Sequence, residues 1–238
     1  MKAFWFVTRR FFAEIWSDAL LAVLPFVPVF MGLLFRFGVP ALEAYLCGRL
    51  GRAALLAPYY PIVDLLLSIM TPLMFTAAGA MVILDEADLG LARAIAVTPV
   101  GRRGYLASRI LVPAVLSTAY CALVTLLFRL SDLSAGRLLL LAVCSGALSV
   151  AAALMISTLA KNKVEGLALT KLSGLFVLGL PAALLVPSPA KYLAGVLPSL
   201  WMTELALGGS LLYAVPALLT ALVWSVVFLR YFLRRVLA

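Results

Sequence analysis

Three carboxylates, Asp85, Glu86 and Asp88, stand within four positions of one another in a chain of 238 residues that has only ten acidic side chains. Acids at that density are the residue types that hold a hard divalent cation or exchange a proton with a substrate. Asp85 and Glu86 are adjacent, and adjacent helical side chains diverge by about 100°, so they do not converge on one group. Asp85 and Asp88 form the better pair, followed by Gly90, Ala92 and Arg93. A hard cation held there would need further carboxylate oxygens nearby. The next stretch, "GRRGYLASRILVPAVL", supplies none.

The enzymes whose pattern comes nearest are the membrane CDP-alcohol phosphotransferases, with D-x-x-D-G-x-x-A-R. Here Leu89 separates Asp88 from Gly90, which turns the second aspartate away from the glycine that must follow it directly. A metal-dependent lipid head-group transferase working through Asp85 and Asp88 is kept as the alternative enzymatic reading. Other chemistry lacks its parts. No glycine precedes a lysine, so there is no P-loop, and the chain has no histidine for a nucleophile's base. Cys47, Cys121 and Cys144 are far apart and form no C-x-x-C pair. The expectation is a chain with no catalytic residue, no metal site and no cofactor of its own.

The elements that carry these residues are membrane helices. The chain is 65% hydrophobic and 12% charged, with a mean hydropathy of +1.15, against about 45–50% and 25% for soluble domains. Runs of some 20 apolar residues predict six spans, at 16–37, 60–84, 104–128, 137–159, 166–186 and 211–233, within one membrane domain covering 1–238. The fifth run contains Lys171 and Pro181; the lysine is near enough to an end to snorkel, and proline is tolerated in membrane helices. Stretches such as "LLLLAVCSGALSVAAALMIS" are apolar on every face, which argues against a barrel strand.

The net charge of +9 does not mark a nucleic-acid binder, because the basic residues punctuate the ends of spans and form no patch with interleaved aromatics. With the N-terminus inside, only Arg36, Arg49, Arg52, Arg129, Arg137 and Lys191 of the 19 Lys and Arg fall outside. The positive-inside rule then places both termini in the cytoplasm of a cell that carries this chain in its inner or plasma membrane. The first apolar block lacks a small-x-small cleavage pattern, so the N-terminus is expected to be retained.

Three segments lie outside the spans. Residues 1–16, "MKAFWFVTRRFFAEIW", gather Phe4, Trp5, Val7, Phe11, Phe12, Ile15 and Trp16 on one broad helical face, opposite Lys2, Arg9, Arg10 and Glu14. This is an amphipathic interfacial helix, or else the ragged start of the first span. Residues 187–210 are apolar but broken by Pro, Gly and Ser, and read as a short re-entrant or interfacial pair on the outer side, anchored by Trp201. Residues 85–98 begin with acids and carry Arg93 a turn later, the charge order a helix dipole favours. That helix ends before Pro99, which disfavours helix at Thr98. A rigid cytoplasmic projection fits these residues; so does a polar loop that satisfies two helix ends.

The segment "DEADLGLARAIAVTPVGRRGYLASRIL", placed after a second span, resembles the E-x-x-x-G-x-x-x-x-x-x-x-T-P-V element of type-2 ABC transporter permeases. Glu86, Gly90, Thr98, Pro99 and Val100 fall on it, and Tyr105, Leu106 and Arg109 resemble its continuation. The order of elements is similar throughout, and the short fluoroquinolone- or bacteriocin-type export permeases are similar in size. The resemblance implies an all-α integral membrane protein with an N-terminal amphipathic helix, six spans, a coupling helix between spans 2 and 3, and a broken segment before span 6. It implies ATP and Mg on a separate nucleotide-binding subunit, gripping Asp85, Glu86, Asp88, Leu89, Gly90, Arg93, Thr98 and Pro99, with Leu91 and Ile95 packing beside them. A second permease, a copy or a homologue, completes a route for a hydrophobic or amphipathic compound, lined by Asp64, Ser68, Thr71, Lys171 and Ser173. Asp64 and Lys171 also fit local pairing or snorkelling. A membrane docking or regulatory subunit that transports nothing is the remaining alternative.

Overall fold

The computed structural model describes residues 2–98 and 100–235. In chain order it comprises α1 (Lys2–Ser17), α2 (Ala19–Leu50), α3 (Ala57–Asp88), the short α4 (Leu91–Ala96), α5 (Arg103–Phe128), α6 (Ala135–Leu159), α7 (Lys163–Leu185), α8 (Pro198–Ala206) and α9 (Leu211–Arg234). No strand occurs among the described residues. Six helices, α2, α3, α5, α6, α7 and α9, are long and apolar enough to cross a membrane. They alternate in direction, so α1, α4 and the end of α9 share one end of the bundle, called here the terminal end.

The core is α3 against α6. About three-quarters of the central apolar window of each is buried, 78% and 72%, whereas α2, α7 and α9 bury only 17% and leave their apolar faces to lipid. Close approach depends on small residues. A Cβ on Gly146 of α6 would sit 1.9 Å from the Thr118 hydroxyl of α5. Pro72 lies inside α3 and cannot donate to the Ser68 carbonyl one turn earlier. The thiol of Cys121 on α5 donates to that oxygen at 3.2 Å, and Ser68 also shares a hydrogen bond with Ser145 of α6 at 3.0 Å.

The spans run longer than hydropathy alone predicts. Where 16–37 was expected, α2 begins after Asp18, whose carboxylate caps it by accepting from the N–H groups of Leu20 and Leu21. It continues through a π-turn at Leu34–Gly38, ahead of Pro40, to Leu50. Gly51 then stops it at φ +63°. Likewise α3 passes 84 and keeps Asp85, Glu86 and Asp88 in its last turn. At the start of α7, Asn162 accepts from the Glu165 N–H while the Glu165 side chain accepts from the Lys161 N–H. This pair of caps, one from Asn162 and one reaching back to Lys161, starts the helix at 163 rather than 166.

Between α7 and α9 the broken segment forms a 3₁₀ stretch, Ala190–Val196, and then α8. Leu200, Met202 and Leu205 of α8 are fully buried. Lys191 pairs with Glu204 at 2.5 Å, and the Ser199 hydroxyl donates to the Phe176 carbonyl at 2.5 Å. Gly179 of α7 is what lets α8 approach. A Cβ there would meet the Leu200 backbone nitrogen at 2.4 Å, while one on Gly174 would meet nothing within 4 Å. Overpacking against backbone costs about 1–3 kcal/mol. Gly179→Ala is therefore expected to lower the unfolding midpoint of the detergent-solubilised protein, with Gly174→Ala at or slightly above wild type. Equal midpoints for the two variants would show that α7 and α8 do not pack this closely.

Candidate functional site

The sequence-marked residues of 85–98 meet at the terminal end. Glu86 is 2% exposed and Arg109, six residues into α5, is 2% exposed. Arg109 Nε donates to both Glu86 oxygens, at 3.1 and 2.9 Å, and Nη2 closes the bidentate pair. The Tyr105 hydroxyl, one turn earlier on the same face of α5, donates to Glu86 Oε2 at 3.0 Å. The remaining arm of the guanidinium, Nη1, donates to the Val7 carbonyl of α1 at 2.8 Å, and the Phe11 ring lies 5.0 Å from Cζ. Phe11 in turn rests on Gly79, where a Cβ would come within 3.1 Å of its ring edge. One guanidinium thus joins α1, α3 and α5.

A second, more open ionic junction lies beside it. Lys163 at the start of α7 donates to Asp18 at 2.7 Å and to Asp85 at 2.8 Å, linking the α1–α2 junction, the end of α3 and α7. The Lys163 hydrogen bond, followed by the N–H groups of Leu21 and Leu20, holds the Asp18 carboxyl below its ordinary value of 3.8. Arg10 and Glu14 pair along α1 at 3.0 Å. Together with Asp88, Leu89 and Leu91 these groups line a cleft of about 450 Å³ between α1 and the end of α3.

The projection itself is a short helix between two left-handed glycines. Gly90 has φ +70° and Gly101 φ +66°, backbone that other residues adopt only with strain. Gly90 ends α3, its N–H donating to the Ala87 carbonyl at 3.1 Å. The acids therefore close α3 instead of opening the next helix. The dipole argument placed them at a helix start; Arg109 and Lys163, supplied from elsewhere in the chain, are what make a helix end tolerable for them. The Thr98 hydroxyl donates to the Ile95 carbonyl at 2.6 Å, and the Gly101 N–H to the Thr98 carbonyl at 3.0 Å. Ile95 packs back toward Tyr105 and Phe232. Leu89 and Val97 point away, 73% and 88% exposed. Pro99 and the side chain of Arg93 lie outside the described residues.

The five residues proposed to line a route are not brought together. Asp64 is buried at the opposite end, accepting from the N–H groups of Leu130 and Ser131 at 2.8 and 2.9 Å and from the Ser131 hydroxyl. Ser68 faces Cys121 and Ser145, and the Thr71 hydroxyl donates to the Leu67 carbonyl at 2.7 Å. On α7, Ser173 donates to the Thr170 carbonyl at 2.6 Å, and Lys171 is exposed. Sequence reasoning missed Lys163 and Asp18 as partners of Asp85. It placed Arg109 only as part of a pattern, although Tyr105 and Arg109, four apart, announce one polar helical face aimed at an acid.

A bundle of six apolar helices, with a short glycine-bounded projection at the ends of its second and third spans, is the architecture of a multi-pass membrane protein, and its relatives make it an export permease of the ABC-2 type. Over residues 11–233 the chain matches the family described as Rv2686c-like, fluoroquinolones export permease protein Rv2686c-like, and it belongs to that family. Two relatives from Mycobacterium tuberculosis, the fluoroquinolones export permease proteins Rv2686c of strain H37Rv and MT2760 of strain CDC 1551, are each 29% identical over 192 residues. The aligned stretch covers 79% of this chain and 75% of either relative. No solved structure matches the chain.

Two outcomes follow from this geometry. Removing one partner of a buried pair leaves a charge without compensation and costs about 3–5 kcal/mol. Arg109→Met and Glu86→Met each should lower the unfolding midpoint sharply, and the double Met variant should recover most of the loss; additive losses would contradict the pairing. Asp18, with its carboxyl pKa depressed in the folded state, contributes stability above 3.8 that is lost as pH falls through the folded value. Asp18→Asn should thus destabilise at neutral pH and converge on wild type in acid below that range. A difference that persists there would show that the charge is not what matters.

Proposed function

We propose that this chain is the transmembrane subunit of an ATP-driven exporter, in which the α3–α4 projection docks on a separate nucleotide-binding subunit. What supports the docking reading is the exposure of Leu89 and Val97 at an end of the bundle where polar and charged groups, not lipid-facing helices, set the surroundings. Two large apolar side chains that stand out together on one short projection form a patch of the kind a partner covers. Asp88, also exposed, adds a charge beside them, and Gly90 and Thr98 shape the turns that present them. Glu86 and Asp85 act one step behind. Held by Arg109 and Lys163, they fasten the projection to the spans, so that closure of two ATPase subunits is passed on as rigid-body motion.

In this reading ATP and Mg are bound and used on the partner, and the permease itself performs no catalytic step. Both termini and the projection are cytoplasmic, and α1 lies at the cytoplasmic interface with Trp5 and Trp16, 70% and 57% exposed, as anchors. Two permeases, identical or homologous, enclose the route between them. Asp64, Ser68, Thr71 and Ser173 support the fold beside that route, and Lys171 is left as the candidate that faces outward from the subunit. The relatives' names point to fluoroquinolones, and the cargo of this chain is taken to be a hydrophobic or amphipathic compound of that kind.

The test uses the exposed pair. Leu89→Asp and Val97→Asp change side chains that bury little within the subunit, so membrane insertion and the unfolding midpoint should stay at wild type. An apolar anchor at the centre of an interface costs about 2 kcal/mol or more when lost, so ATPase recovered with the purified permease should fall by more than tenfold in the double variant, and drug efflux with it. Undiminished recovery and efflux would refute docking at this projection.

A further inference from the structure

A groove of about 370 Å³ runs up the terminal half of the bundle between α5, α6 and α9. Leu106, Ile110 and Leu111 form one wall, Leu154 the floor, and Leu222 and Val226 the other wall. Ser225, at its edge, has its hydroxyl engaged with the Ala221 carbonyl at 2.8 Å. The polar group left at the groove is Arg103, at the mouth. Its side chain is exposed, and among the described residues no carboxylate pairs with it. Arg230, likewise exposed and without an acidic partner there, stands one turn beyond Val226 on α9, toward the same end.

We infer that this groove holds an acyl chain of an anionic glycerophospholipid whose phosphate is bound by Arg103. Three observations select that occupant. From Arg103 to Leu111 the wall rises about 12 Å at 1.5 Å per residue, close to the depth of one leaflet of a hydrocarbon core of about 30 Å. The lining is apolar along that rise and cationic only where it meets the surface, the distribution of a phospholipid with its tail inward and phosphate outward. A guanidinium without a carboxylate partner is matched by a phosphate, which accepts its hydrogen bonds in pairs. Basic sites between helices at a membrane surface bind anionic head groups in this way. The π-turn at Ala107–Leu111 sets the adjoining wall of α5 one residue out of the α-helical repeat. The inference does not depend on the coupling of this chain to an ATPase.

The experiment compares lipids retained by the full-length protein. Purified permease is mixed with equal parts phosphatidylglycerol and phosphatidylcholine in detergent, and the bound lipid is counted by native mass spectrometry. Wild type should retain phosphatidylglycerol about fivefold or more over phosphatidylcholine, near the worth of one surface arginine. Arg103→Lys should keep most of that preference, Arg103→Gln should lose about fivefold, and Arg103→Glu should fall further. Val226→Trp, which fills the groove, should lower retention of both lipids. Equal retention by wild type, or a preference indifferent to charge at 103, would overturn the assignment. So would efficient disulfide linkage between two copies carrying Leu222→Cys, since the groove would then be a permease–permease contact.

Discussion

A carboxylate in the last turn of a membrane helix stands in the wrong place twice over. It is removed from water, and it adds to the negative end of the helix dipole. Glu86 is in that position with 2% of its surface exposed, and the terminal end of the bundle is arranged around the need to compensate it. Arg109 has to reach it at the same depth, which requires α5 to start close to the end of α3. The chain between them therefore has to turn back within about a dozen residues, and Gly90 and Gly101 supply the two left-handed positions at which it does so. The guanidinium has donors left over, and one of them draws the Val7 carbonyl of α1 against the bundle. Replacing the pair by apolar groups would satisfy the solvation problem equally well. It would not hold α1, α3 and α5 in a fixed register.

The same economy appears at the opposite end. Asp64 collects the N–H groups of Leu130 and Ser131, just past the end of α5, and Glu43 accepts from the N–H groups of Leu55, Leu56 and Ala57 and from the Tyr60 hydroxyl. Each of these carboxylates closes a connection between spans by serving backbone donors that have no helical partner. Within the core, Cys121 takes up the Ser68 carbonyl that Pro72 cannot serve, and Ser145 pairs with the Ser68 hydroxyl. Other interior hydroxyls, those of Thr71, Ser117 and Thr125 among them, donate to carbonyls of their own helix.

Hydropathy revealed the six spans and their order because the bilayer requires long apolar helices whatever their neighbours. It misjudged where they stop, and each error has the same origin. The ends of α2, α3 and α7 are decided by side chains distant in sequence or by local caps. Gly51 ends α2 well past Arg36, whose guanidinium is satisfied by the Arg129 carbonyl at 2.7 Å. Asp85–Asp88 stay helical through Lys163 and Arg109. The sign of the acids at residue 85 was read correctly and their position was not, because a dipole argument sees only the helix that carries the charge. The family element was legible as spacing, yet spacing does not distinguish a residue that faces a partner from one that faces inward.

That distinction decides what the acidic stretch is for. Asp85, Glu86 and Asp88 look alike in sequence, and only burial separates them. Glu86 is enclosed and fully engaged, Asp85 shares Lys163 with Asp18, and Asp88 is exposed beside Leu89. An exposed aspartate at a helix end is solvated as it stands, whereas Leu89, just before Gly90, and Val97, between Gly90 and Gly101, expose apolar surface on one short projection. Had the projection been a mere connection, Leu89 and Val97 would cost nothing as polar residues, and the turn chemistry of Gly90, Thr98 and Gly101 would work as well with them. Leu89 and Val97 are the apolar side chains of the stretch that the fold leaves exposed, and in the docking reading proposed above they are what the partner buries.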